Sequence, residues 1–157
     1  MPPQTLFDLS TIDMNALAFD QEAIRQANPQ RGDMEQLNGI IYADKKLERI
    51  LGYKDVKADE FWVSGHIPGR PLLPGVLMIE GAAQLASFYT RIFEKWEGFI
   101  GFGGVEDCKF RAQVAPGNRL LILCQKTWER HRRISCKTQG LVNGQLAFEA
   151  TIIGAQM

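Results

Sequence analysis

Cysteine is sparse in this 157-residue chain: Cys108, Cys124 and Cys136 make an odd count with no Cys-x-x-Cys pair. That argues against a disulfide framework and against a structural zinc site, and the three are read as reduced thiols in or near the core. Histidine is rarer still, with only His66 and His131. Neither sign of charge is in excess, since 18 basic and 18 acidic side chains leave a formal net charge of zero. With a pI of about 6.7, that argues against a nucleic-acid partner or a polybasic membrane anchor. No apolar run approaches the ~18 residues that a transmembrane helix needs, so membrane insertion is not expected. The opening Met1-Pro2-Pro3-Gln4-Thr5-Leu6 lacks the basic flank and apolar stretch of a signal peptide. A cytoplasmic location is the expectation.

What is present suits one globular domain over residues 1–157. Hydrophobic side chains make up 45% and charged ones 23%, enough to bury a core and too little charge for wholesale disorder. Residues 1–19, with two prolines, read as a loose N-terminal arm preceding a folded core over 20–157. Asp20 is a plausible N-cap for a short helix, Gln21 to Ala27, which must stop before Asn28-Pro29 because a residue preceding proline avoids helical backbone angles. Leu37 to Ala43 reads as a strand. Lys46 to Leu51 fits a strand or a helical turn equally well, since periodicity cannot arbitrate over six residues.

Val63 to Gly75 holds three prolines and three glycines, so no regular element can run through it and it must be a shaped loop. Val76 to Tyr89 then reads as a helix of about fourteen residues. Later stretches read as antiparallel strands over Gly98–Val105, Cys108–Val114, Arg119–Trp128, Arg132–Val142 and Gln145–Ile152. Pro116-Gly117-Asn118 makes one turn. Asn143-Gly144 makes a hairpin, because both central positions of a type I′ turn require positive φ.

The Val76–Tyr89 helix has apolar residues in every direction around its axis and should be enclosed. Its polar exceptions, Glu80, Gln84 and Ser87, fall at i, i+4 and i+7 on one face. They could mark a solvent edge. The absence of Lys or Arg before Arg91 favours the other reading, a carboxyl lining a cleft, where desolvation would favour its protonated form and suit it to donate a proton. His66 in the preceding loop could be an incidental surface residue. The rigid proline frame and the helix N-terminus beside it argue for more: the first-turn N–H groups lack intrahelical acceptors, and Gly75 has no Cβ to keep a carbonyl away. One short segment thus offers a base, an oxyanion donor and an acid, the equipment for removing a proton α to a carbonyl and expelling a β-substituent.

The run Gly65-His66-Ile67-Pro68-Gly69-Arg70-Pro71-Leu72-Leu73-Pro74-Gly75-Val76-Leu77-Met78-Ile79-Glu80-Gly81-Ala82-Ala83-Gln84 resembles the signature of the β-hydroxyacyl-acyl carrier protein dehydratases of bacterial fatty acid synthesis. The resemblance spans Phe61 to Ile153. It implies an α+β hotdog fold, a long central helix wrapped by an antiparallel sheet, assembled as homodimers or trimers of dimers. It implies His66 as catalytic base and Glu80 as catalytic acid, 80 − 66 = 14 residues apart as in the family, contributed to each site by different subunits. Gly75 would present its N–H to the thioester carbonyl, Val76 and Phe102 would line the substrate, and Gln84 would support Glu80 from one turn beyond. The implied reaction takes (3R)-3-hydroxyacyl-acyl carrier protein to the trans-2-enoyl thioester with no metal or other cofactor.

The chain departs from the family at Pro29-Gln30-Arg31-Gly32-Asp33, where the pattern is Pro-His-Arg-aromatic-Pro. It departs again at Ile67, where an aromatic follows the histidine, and at Gly101, where some members carry a mobile tyrosine. These changes leave the chemical pair intact and bear on tunnel shape. Acyl carrier protein is acidic, so Arg132 and Arg133, with Lys109 and Arg111, could steer its docking. The bland alternative for the cluster Arg130-His131-Arg132-Arg133 is a solvated hairpin turn. A hotdog thioesterase and a non-catalytic acyl-binding subunit are the competing functional readings.

Overall fold

The computed structural model describes residues 3–157. Its elements are α1 (Gln21–Ala27), a 3-10 turn (Gly32–Met34), β1 (Gly39–Asp44), β2 (Arg49–Asp55), α2 (Gly75–Phe93), β3 (Ile100–Phe110), β4 (Arg119–Arg130), β5 (Arg133–Val142) and β6 (Gln145–Gln156). The six strands form one antiparallel sheet in the order β1-β2-β4-β5-β6-β3, curled around α2. This is the α+β hotdog arrangement.

Local chemistry accounts for the element ends. The Asp20 carboxylate accepts from Ala23 N–H at 2.9 Å and starts α1, and Asn28 turns extended before Pro29 and ends it. Asn143 and Gly144 take φ of 49° and 76°, the two positive values a tight hairpin requires. The undecided stretch Lys46–Leu51 resolves into a turn followed by β2. Ile50 packs in the main core beneath α2, while Leu51 packs in a second cluster on the opposite face of the sheet, as the two-residue repeat of a strand demands.

Four expectations are corrected. α2 runs to Phe93 rather than Tyr89: Thr90 Oγ1 donates to Ala86 O at 2.7 Å, and Phe93 packs edge-on against Tyr89, prolonging the helix by a turn. The helix is not enclosed all round. Met78, Ala82, Leu85 and Phe88 are buried, but Val76 is 70% exposed and Ile79, Glu80, Ala83 and Ser87 are half-buried, because the sheet wraps only one side of it. The strands expected over Gly98–Val105 and Cys108–Val114 are one strand, β3, whose pairing with β6 is broken by irregularities between Phe102 and Gly104 and between Glu106 and Lys109. Finally, the N-terminal arm is not loose over its described residues, 3–19. Leu6, Phe7, Leu9, Ile12 and Met14 pack on Ile41, Leu51, Leu123 and Leu141. Phe7 is buried under the Arg49 guanidinium, and Leu6 N–H donates to Gln139 Oε1 at 2.8 Å. Met1 and Pro2 fall outside the described residues.

The sheet is thus apolar on both faces, with α2 covering one and the N-terminal segment the other. Cys124 and Cys136 are buried and free, and Cys108 is half-buried and free. A hydrogen bond with Cys136, together with burial, holds the Cys124 thiol well above its usual range. No helix among the described residues is long and apolar enough to cross a membrane.

If the N-terminal segment is a structural part of the fold, Phe7→Ala should lower unfolding stability by about 3 kcal/mol, the usual cost of emptying a buried aromatic site. Urea denaturation measures this, and a loss below ~0.5 kcal/mol would return the segment to a loose arm.

Candidate active site

Residues 57–74 form the loop that carries His66. Glu60 sits at its root: Oε1 accepts from Lys54 Nζ at 2.7 Å and from Trp62 Nε1 at 3.1 Å, and Oε2 accepts from Lys57 N–H at 2.7 Å. Burial alone would push the Glu60 carboxyl up, but these donors, Lys54 foremost, hold it below the ordinary range. Lys54 and Trp62 are themselves buried. Trp62 O in turn accepts from His66 N–H at 2.9 Å. Farther on, Leu73 N–H donates to Val114 O at 2.7 Å and Pro74 is the N-cap of α2.

No side chain caps that helix start, and the N–H groups of Gly75 and Val76 have no acceptor among the described residues. They stand at the positive end of the helix dipole. A Cβ on Gly75 would lie 2.8 Å from the ring of Phe110, the exposed last residue of β3, which packs over the helix start.

Glu80 is held by the amide one turn further along. Gln84 Oε1 accepts from Gln36 N–H at 3.0 Å, and Gln84 Nε2 donates to Met34 O at 2.7 Å and to Glu80 Oε1 at 3.0 Å. The two backbone partners fix which end of the amide is which, because a backbone N–H can only donate and a carbonyl only accept. Glu80 therefore always meets a donor on Oε1, leaving Oε2 for a ligand. Gln84 O also accepts from Asn28 Nδ2 at 2.9 Å.

Beyond Glu80 lies a cavity of about 240 Å³, bounded by Ala83 and Ser87 of α2, Ile100 and Phe102 of β3, Cys136 of β5 and Ile153 of β6. Glu80 lies toward one end of the helix wall, and Thr90, ten residues on, toward the other, a length of about 15 Å at 1.5 Å per residue. An elongated, mostly apolar slot with one carboxyl near its end has room for an apolar chain. Pro29 and Gln30 also line it, so the departure at position 30 falls on the slot itself. Gly101 lines it too, and the space a side chain would take there is filled by Met157 and Phe99.

Of the residues singled out from sequence, the protomer brings together Glu80, Gln84 and Phe102 at this cavity. His66, Gly75 and Val76 do not line it, and His66 is exposed on its loop. Arg132 and Arg133 sit at the exposed β4–β5 turn, where Arg132 O accepts from Gln156 N–H. Gln156 pairs with Ile100, so this turn adjoins the start of β3. Lys109 and Arg111 lie at its other end, roughly 30 Å away for ten residues at ~3.3 Å each, and Arg111 is paired with Glu149 at 2.7 Å. Within one protomer the four basic residues are therefore two separate pairs. Sequence reasoning missed Lys54 and Glu60. A signal existed, since Lys54 shares the inward phase of β2 with Ile50, and a lysine on that face requires a partner. Among the described residues no group of His, Cys, Asp and Glu side chains converges as metal ligands.

Among solved structures the fold matches a chain of the dehydratase heterocomplex ApeI:P from Xenorhabdus doucetiae, with a TM-score of 0.71 and 17% identity over 85% of this chain and 90% of that one. It also matches Cj0977, a sigma28-regulated virulence protein from Campylobacter jejuni, with a TM-score of 0.68 and 19% identity over 93% and 96%. At such identities these likenesses bear on the fold alone. The sequence is 32% identical over 138 residues to the 3-hydroxyacyl-[acyl-carrier-protein] dehydratase FabZ of Listeria monocytogenes, covering 87% of this chain and 95% of that protein. It is 36% identical over 119 residues to the enzyme of the same name from Alkaliphilus metalliredigens, covering 72% and 81%. The family model for the FabA-like domain matches residues 28–151, starting well upstream of the Phe61–Ile153 stretch that carried the resemblance and taking in the whole cavity-lining Pro29-Gln30 segment. The chain belongs to the FabA-like family.

Proposed function

We propose that this protein is a 3-hydroxyacyl-[acyl-carrier-protein] dehydratase of cytoplasmic fatty acid biosynthesis, with His66 as base and Glu80 as acid. The observation that carries the reading is Glu80 itself, a carboxyl clamped through one oxygen by Gln84 at the end of an apolar slot. His66 removes the C2 proton of a (3R)-3-hydroxyacyl thioester. The freed electron pair becomes the C2–C3 double bond, the C3–O bond breaks, and the departing hydroxyl takes the Glu80 proton and leaves as water. The N–H groups of Gly75 and Val76 polarise the thioester carbonyl, where negative charge develops as C2 is deprotonated. The product is the trans-2-enoyl thioester.

The site is completed by a second subunit. β3 is a free sheet edge, and it runs opposite to α2: its last residue, Phe110, lies over Gly75 at the helix start, while Gly98 O, just before β3, accepts from Arg91 Nη2 near the helix end at 2.8 Å. Two copies paired antiparallel along β3 would set the helix start of one beside the cavity of the other, so that His66 of the partner subunit faces Glu80. The same pairing would cover Phe102, Val105 and Phe110, which stand 47%, 41% and 51% exposed on β3, and would shield an edge otherwise open to aggregation. It would also unite the two basic pairs, Arg132 and Arg133 of one protomer beside Lys109 of the partner subunit, as one rim for an acidic carrier.

In assays of the intact protein with a 3-hydroxyacyl thioester and its trans-2-enoyl product, reversible hydration is expected. Free thiol release would indicate a thioesterase, and silence a binding subunit. His66→Ala and Glu80→Gln should each lower kcat at least about 100-fold with the fold retained. Because each site draws on both chains, mixing and reassociating the two inactive variants should restore about a quarter of wild-type activity: half the dimers are mixed, and each has one intact site. Absence of complementation would place both groups in one chain. Charge reversal of Arg132 and Arg133 should raise KM for the carrier-linked substrate about tenfold at low salt and leave a small-thiol substrate unaffected. An unchanged KM would make the cluster a solvated turn.

A further inference from the structure

We propose that the ion pair between buried Lys54 and half-buried Glu60 is a positioning device for His66. The inference rests on the reading of His66 as the base. Three observations support it. First, a single carboxylate gathers donors from three places: Lys54 on β2, the Lys57 backbone where the chain leaves that strand, and the Trp62 indole. Second, the donors that matter for rigidity are enclosed, with Lys54 3% and Trp62 4% exposed. Third, Trp62 O carries the backbone hydrogen bond to His66 N–H at 2.9 Å and also accepts from Gly65 N–H at 3.3 Å.

The segment between β2 and α2 has no regular secondary structure to hold it, and residues 64–71 are exposed along their whole length. The covalent path from the sheet to the imidazole is therefore long and soft unless something ties it down. The Lys54–Glu60–Trp62 chain supplies that tie and shortens the free span to the few residues between Trp62 and His66. A buried ammonium is a costly thing to keep in a protein unless its partner is held in place, so Glu60 cannot swing away from Lys54. Because Glu60 is fixed, the indole and the carbonyl that follow it are fixed as well. Neither Lys54 nor Glu60 lines the cavity beside Glu80, so neither touches the acyl chain there. Their effect on the reaction passes through where the imidazole stands, and a displacement of about 1 Å in a reacting group can cost about 100-fold in rate.

The chain has only two histidines, which makes the test direct. The full-length protein, labelled with ¹⁵N-histidine, would be compared as wild type, Glu60→Asp and the double variant Lys54→Met/Glu60→Gln. Glu60→Asp keeps the charge for Lys54 but is one methylene too short to reach all three donors. The double variant removes both charges, so it stays foldable without leaving a lone buried ion. Imidazole resonances, kcat and KM for a 3-hydroxyacyl thioester, and melting temperature would be measured on each. We expect the His66 resonances to move while those of His131, which lies outside the Lys54–Glu60–Trp62 hydrogen-bond chain, stay put. We expect kcat to fall at least tenfold with KM within twofold of wild type. Variants that melt earlier but keep wild-type His66 resonances and kcat would reduce the pair to a stability role and overturn the proposal. A wild-type protein without dehydratase activity whose His66 resonances still respond to Glu60→Asp would reject the reaction and keep the positioning role.

Discussion

The amide of Gln84 is the contact on which the site depends. It is buried, and its oxygen and nitrogen are committed to the Gln36 N–H, the Met34 carbonyl and Glu80 Oε1. Replace it with an apolar side chain and two backbone groups lose their partners, the buried Gln36 N–H at a cost of about 1–3 kcal/mol. The segment 28–36, which has only one 3-10 turn of its own, would lose its main attachment to α2, and with it would go the wall that Pro29 and Gln30 give the cavity. The same amide dictates which oxygen of Glu80 is free. One side chain thus joins the packing of an irregular segment to the orientation of the proposed acid.

A second constraint comes from the sheet. Pairs such as Ile40-Ile41, Ile50-Leu51 and Ile122-Leu123 send one side chain toward α2 and the next toward the outer face. Such strands are unstable against water on either side, so each face must be covered. α2 covers the inner one and the N-terminal segment the outer one. The outer cover is why residues 3–19, which have no helix or strand of their own, are nonetheless packed in place: Phe7 and its neighbours are held by burial.

One stretch of the remaining apolar surface lies where the proposed chemistry is. Val76, Phe102, Val105 and Phe110 are exposed in the protomer, along the helix start and the free β3 edge, and His66 stands in the loop just before them. Carrier, acyl chain and second subunit would then share one region of the molecule. Under the proposed pairing, joining the catalytic site to the surface that favours association would make the active species and the stable species the same object.

Much of the fold was legible because it is written in local patterns. Asp20 and Asn28-Pro29 bracket α1, Asn143-Gly144 closes a hairpin, and the proline-glycine frame before Gly75 forbids any regular element. The run from Gly65 to Gln84 made the family legible as well. Less legible were features that depend on partners distant in sequence. The bulges that join two expected strands into β3 arise from its register with β6. The order in the N-terminal segment comes from an apolar face assembled out of β1, β2, β4 and β5. The role of Lys54 could have been suspected from its inward phase on β2, but its partner Glu60 is reached only through a turn. By itself the sequence determined which residues are chemically able to act, since side-chain type and spacing are local properties. Tertiary structure decided which of them meet: it set Glu80 and Gln84 at the head of a cavity and left His66 outside it, because that meeting depends on how far a single sheet can wrap around a single helix.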